Sequence, residues 1–367
     1  MITNETDDVS FALTAFFMKV SGFWISSDRN EQRRMNITLG YTISLILFAV
    51  YVILIDMYHV RSDLSDLLYA LTNFLTLMMC VMKMFIMLAQ KKEFFKLVIY
   101  LQRKFLALQT NCDPYEKSII QACKRSCAIC VILFTLFTHL TIVCYLGAPL
   151  IVNIGKNESD RILPFTMWFN IPMSLTPYYE IAFIIEVLAV YQLGLCYFCF
   201  DNFLFMMNIH TTTQFRILRH RLTNIENTSE EEHDQKGRIS SSTEKCYVTF
   251  KGYVQQHQAL IKFCENLEEA YNLVVLGQML IFSLLICLDG CQVLLIDTSN
   301  GKRFIFVFHL VSCVGQLLMF TYSCDGLIHE SVNVGAGAYE SLWPCLTMDK
   351  YGTTMRKDLL FVLARSK

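Results

Sequence analysis

The stretch that decides the fold is Phe304–Ile328, FIFVFHLVSCVGQLLMFTYSCDGLI, near the end of the chain. It contains one acidic residue, Asp325, and neither Lys nor Arg. A helix needs about 20 consecutive, mainly apolar residues to cross a lipid bilayer, so this stretch predicts a membrane-spanning helix. The residues after it, 329–367, mix charged, small and apolar side chains, with a polar elbow at 330–337. They predict a helix that leaves the membrane and continues as an amphipathic helix on a charged face.

Five further apolar stretches of similar length occur in the chain. The six predicted spans are 37–58, 67–88, 127–146, 178–207, 273–296 and 304–327. The composition agrees with this interpretation, because 54% of the residues are hydrophobic and 17% are charged, where a soluble domain carries about 25% charged residues. The sequence therefore predicts an all-α membrane protein with six transmembrane helices and a terminal amphipathic helix.

The apolar and polar stretches divide the chain into five predicted segments. These are an N-terminal segment at 1–36, spans one to four at 37–207 with a proline-rich outer loop at 147–177, a loop and anchor helix at 208–266, spans five and six at 267–327, and a terminal helix at 328–367. The apolar patch at 11–24 predicts an interfacial amphipathic segment. Lys83 lies near one end of the second span, and we expect it to reach the lipid headgroups along its own stem.

The distribution of basic residues predicts the orientation of the chain. Only five of the 31 Lys and Arg residues lie between spans one and two, three and four, or five and six; they are Arg61, Lys156, Arg161, Lys302 and Arg303. Nearly all the others lie in the N-terminal segment, the two even-numbered loops and the tail. Basic residues stay on the cytoplasmic side of a membrane. The N-terminus, the loop at 208–266 and the terminal helix are therefore predicted to be cytoplasmic.

Motifs for catalysis and metal binding are absent from the sequence. It contains no G-x-S-x-G, P-loop, H-E-x-x-H or strand-borne G-x-G-x-x-G motif, and its eight histidines show no ligand spacing. The two C-x-x-C pairs, at Cys127 and Cys196, lie inside predicted spans, where cysteine packs as a small hydrophobic residue. The sequence therefore predicts a protein that is not an enzyme and that uses no cofactor or metal.

The C-terminal residues carry a resemblance to a known family. The ordered set is Tyr322-x-Cys324-x-Gly326, Glu330-Ser331, Ala338-Tyr339-x-x-x-Trp343, Arg356-Lys357 and Arg365-Ser366-x. This set resembles the C-terminal signature of the insect odorant receptors. The resemblance implies a subunit of a ligand-gated, non-selective cation channel that assembles as a tetramer with a common co-receptor. It also implies a seventh, pore-lining span after the signature, and because the sequence ends at Lys367 we expect that helix to be absent from a C-terminally truncated chain.

Candidate ligand-binding residues lie in the outer halves of spans two, three, four and six, where aromatic side chains mix with a few hydrogen-bonding groups. They are Tyr69, Asn73, Phe74, Phe137, His139, Tyr145, Tyr178, Tyr179, Phe183, Phe306 and His309. A mostly apolar cavity with sparse polar groups suits a small volatile molecule, and the resemblance implies an odour pocket among these helices. The alternative is that they are packing and membrane-interface residues. Three acidic residues, Glu186, Asp201 and Asp289, are expected to face protein or water, because lipid disfavours their charges.

Candidate subunit contacts lie in the cytoplasmic helices, following the resemblance. They are His257, Tyr339, Trp343, Arg356 and Lys357. The alternative for the segment around His257 is a solvated helix.

Together with these observations, the resemblance implies an odorant receptor of the plasma membrane of olfactory neurons: the odorant-binding subunit of a heteromeric, odour-gated cation channel. Its expected partners are the co-receptor, a small volatile organic ligand and membrane lipid, without nucleic acid. One alternative is a G-protein-coupled chemoreceptor, which would place the N-terminus outside and which characteristically carries D-R-Y and N-P-x-x-Y motifs that this sequence lacks. Another is a non-functional, truncated receptor remnant.

Overall fold

The computed structural model describes residues 8–26, 28–106, 112–165, 167–168, 173–225, 242–294, 300–340 and 350–365. Within these residues the chain forms helices and no strands. The helices are α1 (Val9–Val20), α2 (Arg29–Val60), α3 (Leu64–Ala89), α4 (Lys91–Tyr100), α5 (Pro114–Val152), α6 (Tyr178–Thr223), α7 (Ser242–Leu294), α8 (Asn300–Glu340) and α9 (Lys350–Arg365), with a π-helical turn at Leu101–Leu106 and a short 3-10 turn at Glu158–Asp160.

Six of these helices, α2, α3, α5, α6, α7 and α8, are long and apolar enough to cross a membrane. This confirms the six predicted spans. The helices are longer than the spans, so the predicted segment limits at residues 207 and 266 fall inside α6 and α7. The predicted elbow at 330–337 is wrong, because α8 continues unbroken to Glu340. A side chain at Gly337 would overlap Arg219, so the small residue serves close packing of two helices rather than a bend.

The chain divides into two compact units. The first unit comprises the described residues of Met1–Phe95, Ala128–Leu204 and Ala270–Phe320. Its apolar exposed faces explain why it needs lipid. On α5, Leu133, Leu136, Leu140 and Val143 form a stripe at helical spacing and are 49–65% exposed. An exposed apolar stripe of this length is unfavourable in water and is typical of a lipid-facing helix surface.

The N-terminal helix α1 belongs to the interior of the first unit. The ring of Phe11 packs against Phe203 and that of Phe17 against Phe198, with centroids 6.1 and 5.2 Å apart. The Nε2 of Gln192 donates to the carbonyl of Val20 at 3.2 Å, which satisfies a carbonyl at the end of α1. The patch predicted to lie at the membrane interface therefore packs one face on α6, while Phe16 stays exposed.

The turn after α1 requires a glycine. Gly22 has a φ of +80°, a left-handed conformation that other residues adopt at a cost. A Cβ there would also overlap the backbone of Leu39 and Met35 on α2. The carbonyl of Ser21 accepts a hydrogen bond from Thr42 Oγ1 at 3.0 Å. This close contact fixes the angle at which α1 meets α2.

The second unit comprises the described residues of Lys96–Cys127, Phe205–Glu269 and Thr321–Lys367. Ion pairs join its helix ends. Arg221 makes a two-pronged contact with Glu116, at 2.6 and 2.9 Å, and Arg216 pairs with Glu330 at 2.9 Å. Its apolar core includes Tyr100 stacked on an aromatic ring of α7. These contacts explain why α6, α7 and α8 remain helical beyond their apolar segments.

Candidate ligand-binding site

A hydrogen-bonded tyrosine pair lies at the centre of the candidate site in the first unit. Tyr69 on α3 and Tyr145 on α5 have their hydroxyl oxygens 2.8 Å apart, and Tyr145 also donates to Asn73 Oδ1 at 3.4 Å. The ring of Phe306 on α8 lies edge-on to Tyr69 at 5.8 Å, and that of Phe165 contacts Tyr145 at 5.5 Å. We call these five residues the tyrosine cluster. It places a few polar atoms in apolar surroundings, which is typical of small-molecule sites.

A small apolar cavity of about 30 Å³ lies beside this cluster, between α2, α6 and the loop that precedes α6. It has room for about one or two water molecules. Phe48, Val52 and Phe165 line it together with Glu186. Glu186 is buried; its Oε2 accepts the backbone N–H of Phe165 at 3.3 Å, and its Oε1 has no hydrogen-bond partner among the described residues. The surface of the cavity is therefore entirely apolar, and the Glu186 carboxyl oxygens are buried rather than exposed to it.

A second polar group lies on α7 and α8. The Nδ1 of His309 is 2.8 Å from Asp289 Oδ2, and its Nε2 is 3.3 Å from the hydroxyl of Thr76 on α3. Cys313, one helical turn after His309, has its sulfur 3.9 Å from the same Nε2. Two of the predicted residues of interest, Asp289 and His309, are thus in direct contact.

A buried ion pair joins the same helices farther along α3. Lys83 Nζ is 2.6 Å from Asp201 Oδ2 on α6 and donates to the carbonyl of Tyr197 at 3.3 Å. The side-chain amides of Gln278 and Gln316 also contact Asp201 Oδ2. Lys83 is fully buried. The expectation that this lysine reaches the lipid headgroups is therefore wrong, and the expectation that Asp201 faces protein is confirmed.

The structure brings together only some of the predicted ligand-binding residues. Tyr69, Asn73, Tyr145 and Phe306 share the tyrosine cluster, and His309 contacts Thr76 on the same helix as Tyr69 and Asn73.

The remaining candidates lie in other places. His139 packs against Phe17 of α1, Phe137 stacks on Phe308, and Tyr179 accepts a hydrogen bond from Asn153 in the outer loop region. Phe183 stacks on Tyr179, Tyr178 is 46% exposed, and Phe74 is half-buried.

The predicted subunit contacts are distributed over the second unit. Tyr339 is exposed at the end of α8, and Lys357 is exposed on α9, beside the half-buried Arg356. His257 is buried on α7, 6.2 Å from the ring of Phe215, at the edge of an open groove that Phe361 also lines. Trp343 lies outside the described residues.

Two residues that contact these polar groups, Phe165 and Cys313, were not among the predicted site residues. Phe165 lies in the proline-rich loop, where no helical or strand periodicity predicts which way a side chain points, so its contact with Tyr145 could not be inferred from sequence. Cys313 lies four residues after His309, a spacing that puts both on one helix face, so the pair could have been found from sequence.

Comparison with known proteins gives a consistent result. A family profile described as 7tm Odorant receptor matches residues 63–367. Odorant receptor 13a of Drosophila melanogaster is 24% identical over 360 residues, covering 91% of this chain and 80% of that protein. Odorant receptor 82a of the same species is 20% identical, covering 91% of this chain and 85% of that protein.

Solved structures share the fold. The insect olfactory receptor OR5 from Machilis hrabei superposes with a TM-score of 0.76 at 13% identity, covering 96% of this chain and 87% of that one. Its complex with eugenol superposes with a TM-score of 0.77 at 14% identity, covering 97% of this chain and 88% of that one.

Proposed function

This chain belongs to the 7tm odorant receptor family, and we propose that it is the odorant-binding subunit of a heteromeric, odour-gated, non-selective cation channel. The chain would lie in the plasma membrane of olfactory neurons with its N-terminus in the cytoplasm. The concentration of basic residues in the even-numbered loops and the tail supports this orientation.

The tyrosine cluster is the proposed binding site. The observation that carries this proposal is the 2.8 Å contact between the hydroxyls of Tyr69 and Tyr145, because it puts a hydrogen-bonding pair between two membrane helices and beside the aromatic ring of Phe306. Such a site fits a small, mostly apolar molecule with one hydrogen-bonding oxygen. The complex of the Machilis receptor with eugenol supports a small organic ligand for this fold.

Ligand binding would act through the helices that the cluster joins. A ligand oxygen that replaces the hydroxyl of one tyrosine breaks the direct link between α3 and α5 and puts ligand volume between them. The ligand would then favour the conformation in which these helices lie farther apart, and it would shift the closed–open equilibrium only as far as its affinities for the two conformations differ.

The second unit is the proposed site of assembly with the co-receptor. Tyr339, Leu360 and Phe361 are 63–71% exposed on α8 and α9. Large apolar side chains exposed outside the membrane-spanning segments are typical of protein–protein contact surfaces. The family's assembly as a co-receptor tetramer supports this assignment.

The test is odour-evoked current in cells that express this chain together with the co-receptor, measured over a panel of volatile compounds. For an agonist found in this way, Tyr69→Phe and Tyr145→Phe remove one hydroxyl each while they keep the rings. Loss of a hydrogen bond of about 1–2 kcal/mol raises the half-maximal agonist concentration about 5- to 30-fold. The matched control is Tyr41→Phe, an exposed tyrosine on α2 outside the cluster, which should leave the response unchanged.

Two results would contradict the proposal at different levels. An unchanged response of both tyrosine variants, with surface expression equal to that of the wild-type chain, would remove the tyrosine cluster from the binding site. Odour-evoked current that does not require the co-receptor would refute the heteromeric assembly.

A further inference from the structure

Three potential metal-ligating side chains meet inside the first unit. Asp289 on α7 and His309 and Cys313 on α8 bring their ligand atoms within 4.8 Å of one another. Asp289 and Cys313 are fully buried. Helical spacing explains the pair on α8, since residues four apart lie on one face. We call these three residues the His–Asp–Cys cluster.

The hydrogen bonds of the cluster orient the imidazole ring. Asp289 Oδ2 lies 2.8 Å from Nδ1 of His309, so a neutral histidine carries its proton on Nδ1 and donates it to the carboxylate. The lone pair of Nε2 then points towards the sulfur of Cys313, 3.9 Å away, and the hydroxyl of Thr76, 3.3 Å away. Metal-binding histidines are held in the same way, with the second ring nitrogen donating to a carboxylate.

We propose that this cluster binds a borderline-soft transition-metal ion of the Zn²⁺ class. The ligands are His309 Nε2 and Cys313 Sγ, and Asp289 is the positioning residue. Zn–N and Zn–S bonds of about 2.0–2.1 and 2.3 Å in tetrahedral geometry separate the two ligand atoms by about 3.6 Å. The observed 3.9 Å is therefore compatible with one ion between them after a small adjustment. The Thr76 hydroxyl, 3.3 Å from Nε2, is a third oxygen, nitrogen or sulfur atom within reach of an ion at this position.

A divalent ion would balance the charges of the cluster, as a protonated His309 would without it. The Asp289 side chain is fully buried, and within the described part of the chain its Oδ1 has no hydrogen-bond partner. A carboxylate in such surroundings is unfavourable unless a positive charge compensates it. When the ion binds, the Cys313 thiol loses its proton to solvent and the sulfur–metal bond forms, with no change of oxidation state. The carboxylate and thiolate then carry two negative charges, which a divalent ion neutralises.

The histidine provides the route of entry. The His309 side chain is 20% exposed, while that of Asp289 is fully buried. An ion would therefore bind first to His309 and reach Cys313 behind it. The thiol of Cys313 packs in an apolar cluster with Met79, Phe282 and Leu285, which would shield the resulting thiolate from water and from oxidation.

The test uses the full chain, purified in detergent, stripped of metal and titrated with Co²⁺ as a spectroscopic substitute for Zn²⁺. We expect one Co²⁺ per chain, a sulfur-to-cobalt charge-transfer band, displacement by Zn²⁺, and release of one proton per ion at a pH where the thiol is protonated. Cys313→Ala should abolish the band. Asp289→Asn should weaken binding about 10- to 100-fold while keeping the band, because a carboxylate hydrogen-bonded to a metal-binding histidine orients its ring and raises its basicity.

The matched control is Cys80→Ala, which removes another fully buried cysteine of the first unit outside the cluster and should leave the titration unchanged. Absence of a sulfur-to-cobalt band in the wild-type chain would overturn the proposal, whatever the variants do. So would a band that persists in Cys313→Ala. Gel filtration of each variant without metal separates loss of binding from loss of folding. Because no odorant or current is measured, the result is independent of the proposed receptor function.

Discussion

Removal of one partner of the buried Lys83–Asp201 ion pair should destabilise the first unit strongly. The lysine is fully buried, the aspartate is 6% exposed, and their charged atoms are 2.6 Å apart. At that separation and an effective dielectric constant of about 20, the Coulomb attraction is about 6 kcal/mol. The loss of hydration of both groups offsets much of this attraction. When only one charge is removed, the attraction is lost, but the other charge stays buried and still bears its own cost of lost hydration. Breaking a buried pair in this way costs about 3–5 kcal/mol.

Lys83→Met is the informative change, because it keeps an unbranched side chain that is only one atom shorter and removes the charge. Of the contacts that the described residues make with the Asp201 carboxylate, it leaves those of the Gln278 and Gln316 amides. Since folded proteins are stable by about 5–15 kcal/mol, the variant should lose a large share of its free energy of unfolding and melt at a lower temperature. The assay is thermal unfolding in detergent, followed by fluorescence-detected gel filtration of the purified chain.

A double-mutant cycle isolates the pair. Lys83→Met combined with Asp201→Leu replaces both charges with apolar side chains, and such replacements are often neutral or stabilising. The double variant should therefore be more stable than Lys83→Met alone. Lys262→Met is the control, since Lys262 and Glu265 form an exposed pair at 3.1 Å whose loss should change stability by less than about 1 kcal/mol. Equal melting of Lys83→Met and wild type would refute the reasoning, as would a double variant less stable than Lys83→Met alone.

Two further predictions concern the turn after α1 and the outer loop. Gly22→Ala should destabilise the chain by at least about 1–2 kcal/mol in the same melting assay, because of the positive φ and the contact with α2. The control is Gly40→Ala, where nothing lies within 4 Å of the added Cβ and which should be neutral or stabilising. Equal losses of stability in the two variants would contradict this prediction. Asn157 is exposed in an Asn-Glu-Ser sequence and should carry a glycan if the loop is extracellular. The glycan would give a glycosidase-sensitive shift in gel mobility that Asn157→Gln abolishes. A wild-type chain that reaches the cell surface without this shift would argue against the proposed orientation.

The six membrane helices could be predicted from sequence because hydropathy is a local property. A run of about 20 apolar residues predicts a span without knowledge of its neighbours. The length of the helices could not be predicted in this way. No strong helix-breaking signal marks the ends of the apolar segments of α6 and α7, and their polar continuations are held by contacts such as Arg221 with Glu116, which are 105 residues apart.

The candidate site could be predicted in part. Tyr69, Asn73, Tyr145 and Phe306 do meet. They lie in the first halves of the second and sixth predicted spans and in the last half of the third, which the alternating direction of the spans places on one side of the membrane. His139 does not join them. It lies six residues before Tyr145 on α5, and six residues rotate a helix by about 240°, so the two side chains leave the helix on different faces. Position along a span can be inferred from sequence, whereas the face that meets a neighbour depends on how the helices are rotated.

A polar residue inside a span is recognisable from sequence because its exposure to lipid would be unfavourable, but the sequence does not identify the residue that it contacts. Lys83 is an example, since Asp201 lies 118 positions away and nothing local connects them. A lysine near the end of a span is compatible with snorkelling, and only the packing of α3 against α6 excludes it. A charge inside an apolar run therefore signals an interaction without identifying it.

Helix α3 connects the polar groups of the first unit. Tyr69 bonds to α5, Thr72 accepts from Gln292 on α7, Thr76 meets His309 on α8, and Lys83 pairs with α6. These residues follow one another along about 21 Å of helix at 1.5 Å per residue. A packed helix of this length moves as a rigid element. If a bound ligand separates Tyr69 from Tyr145 as proposed, α3 must either move together with the helices that its other side chains contact or lose one of those contacts. Because the Lys83–Asp201 ion pair is strong, we expect α3 to rotate about its Lys83 end more easily than it translates.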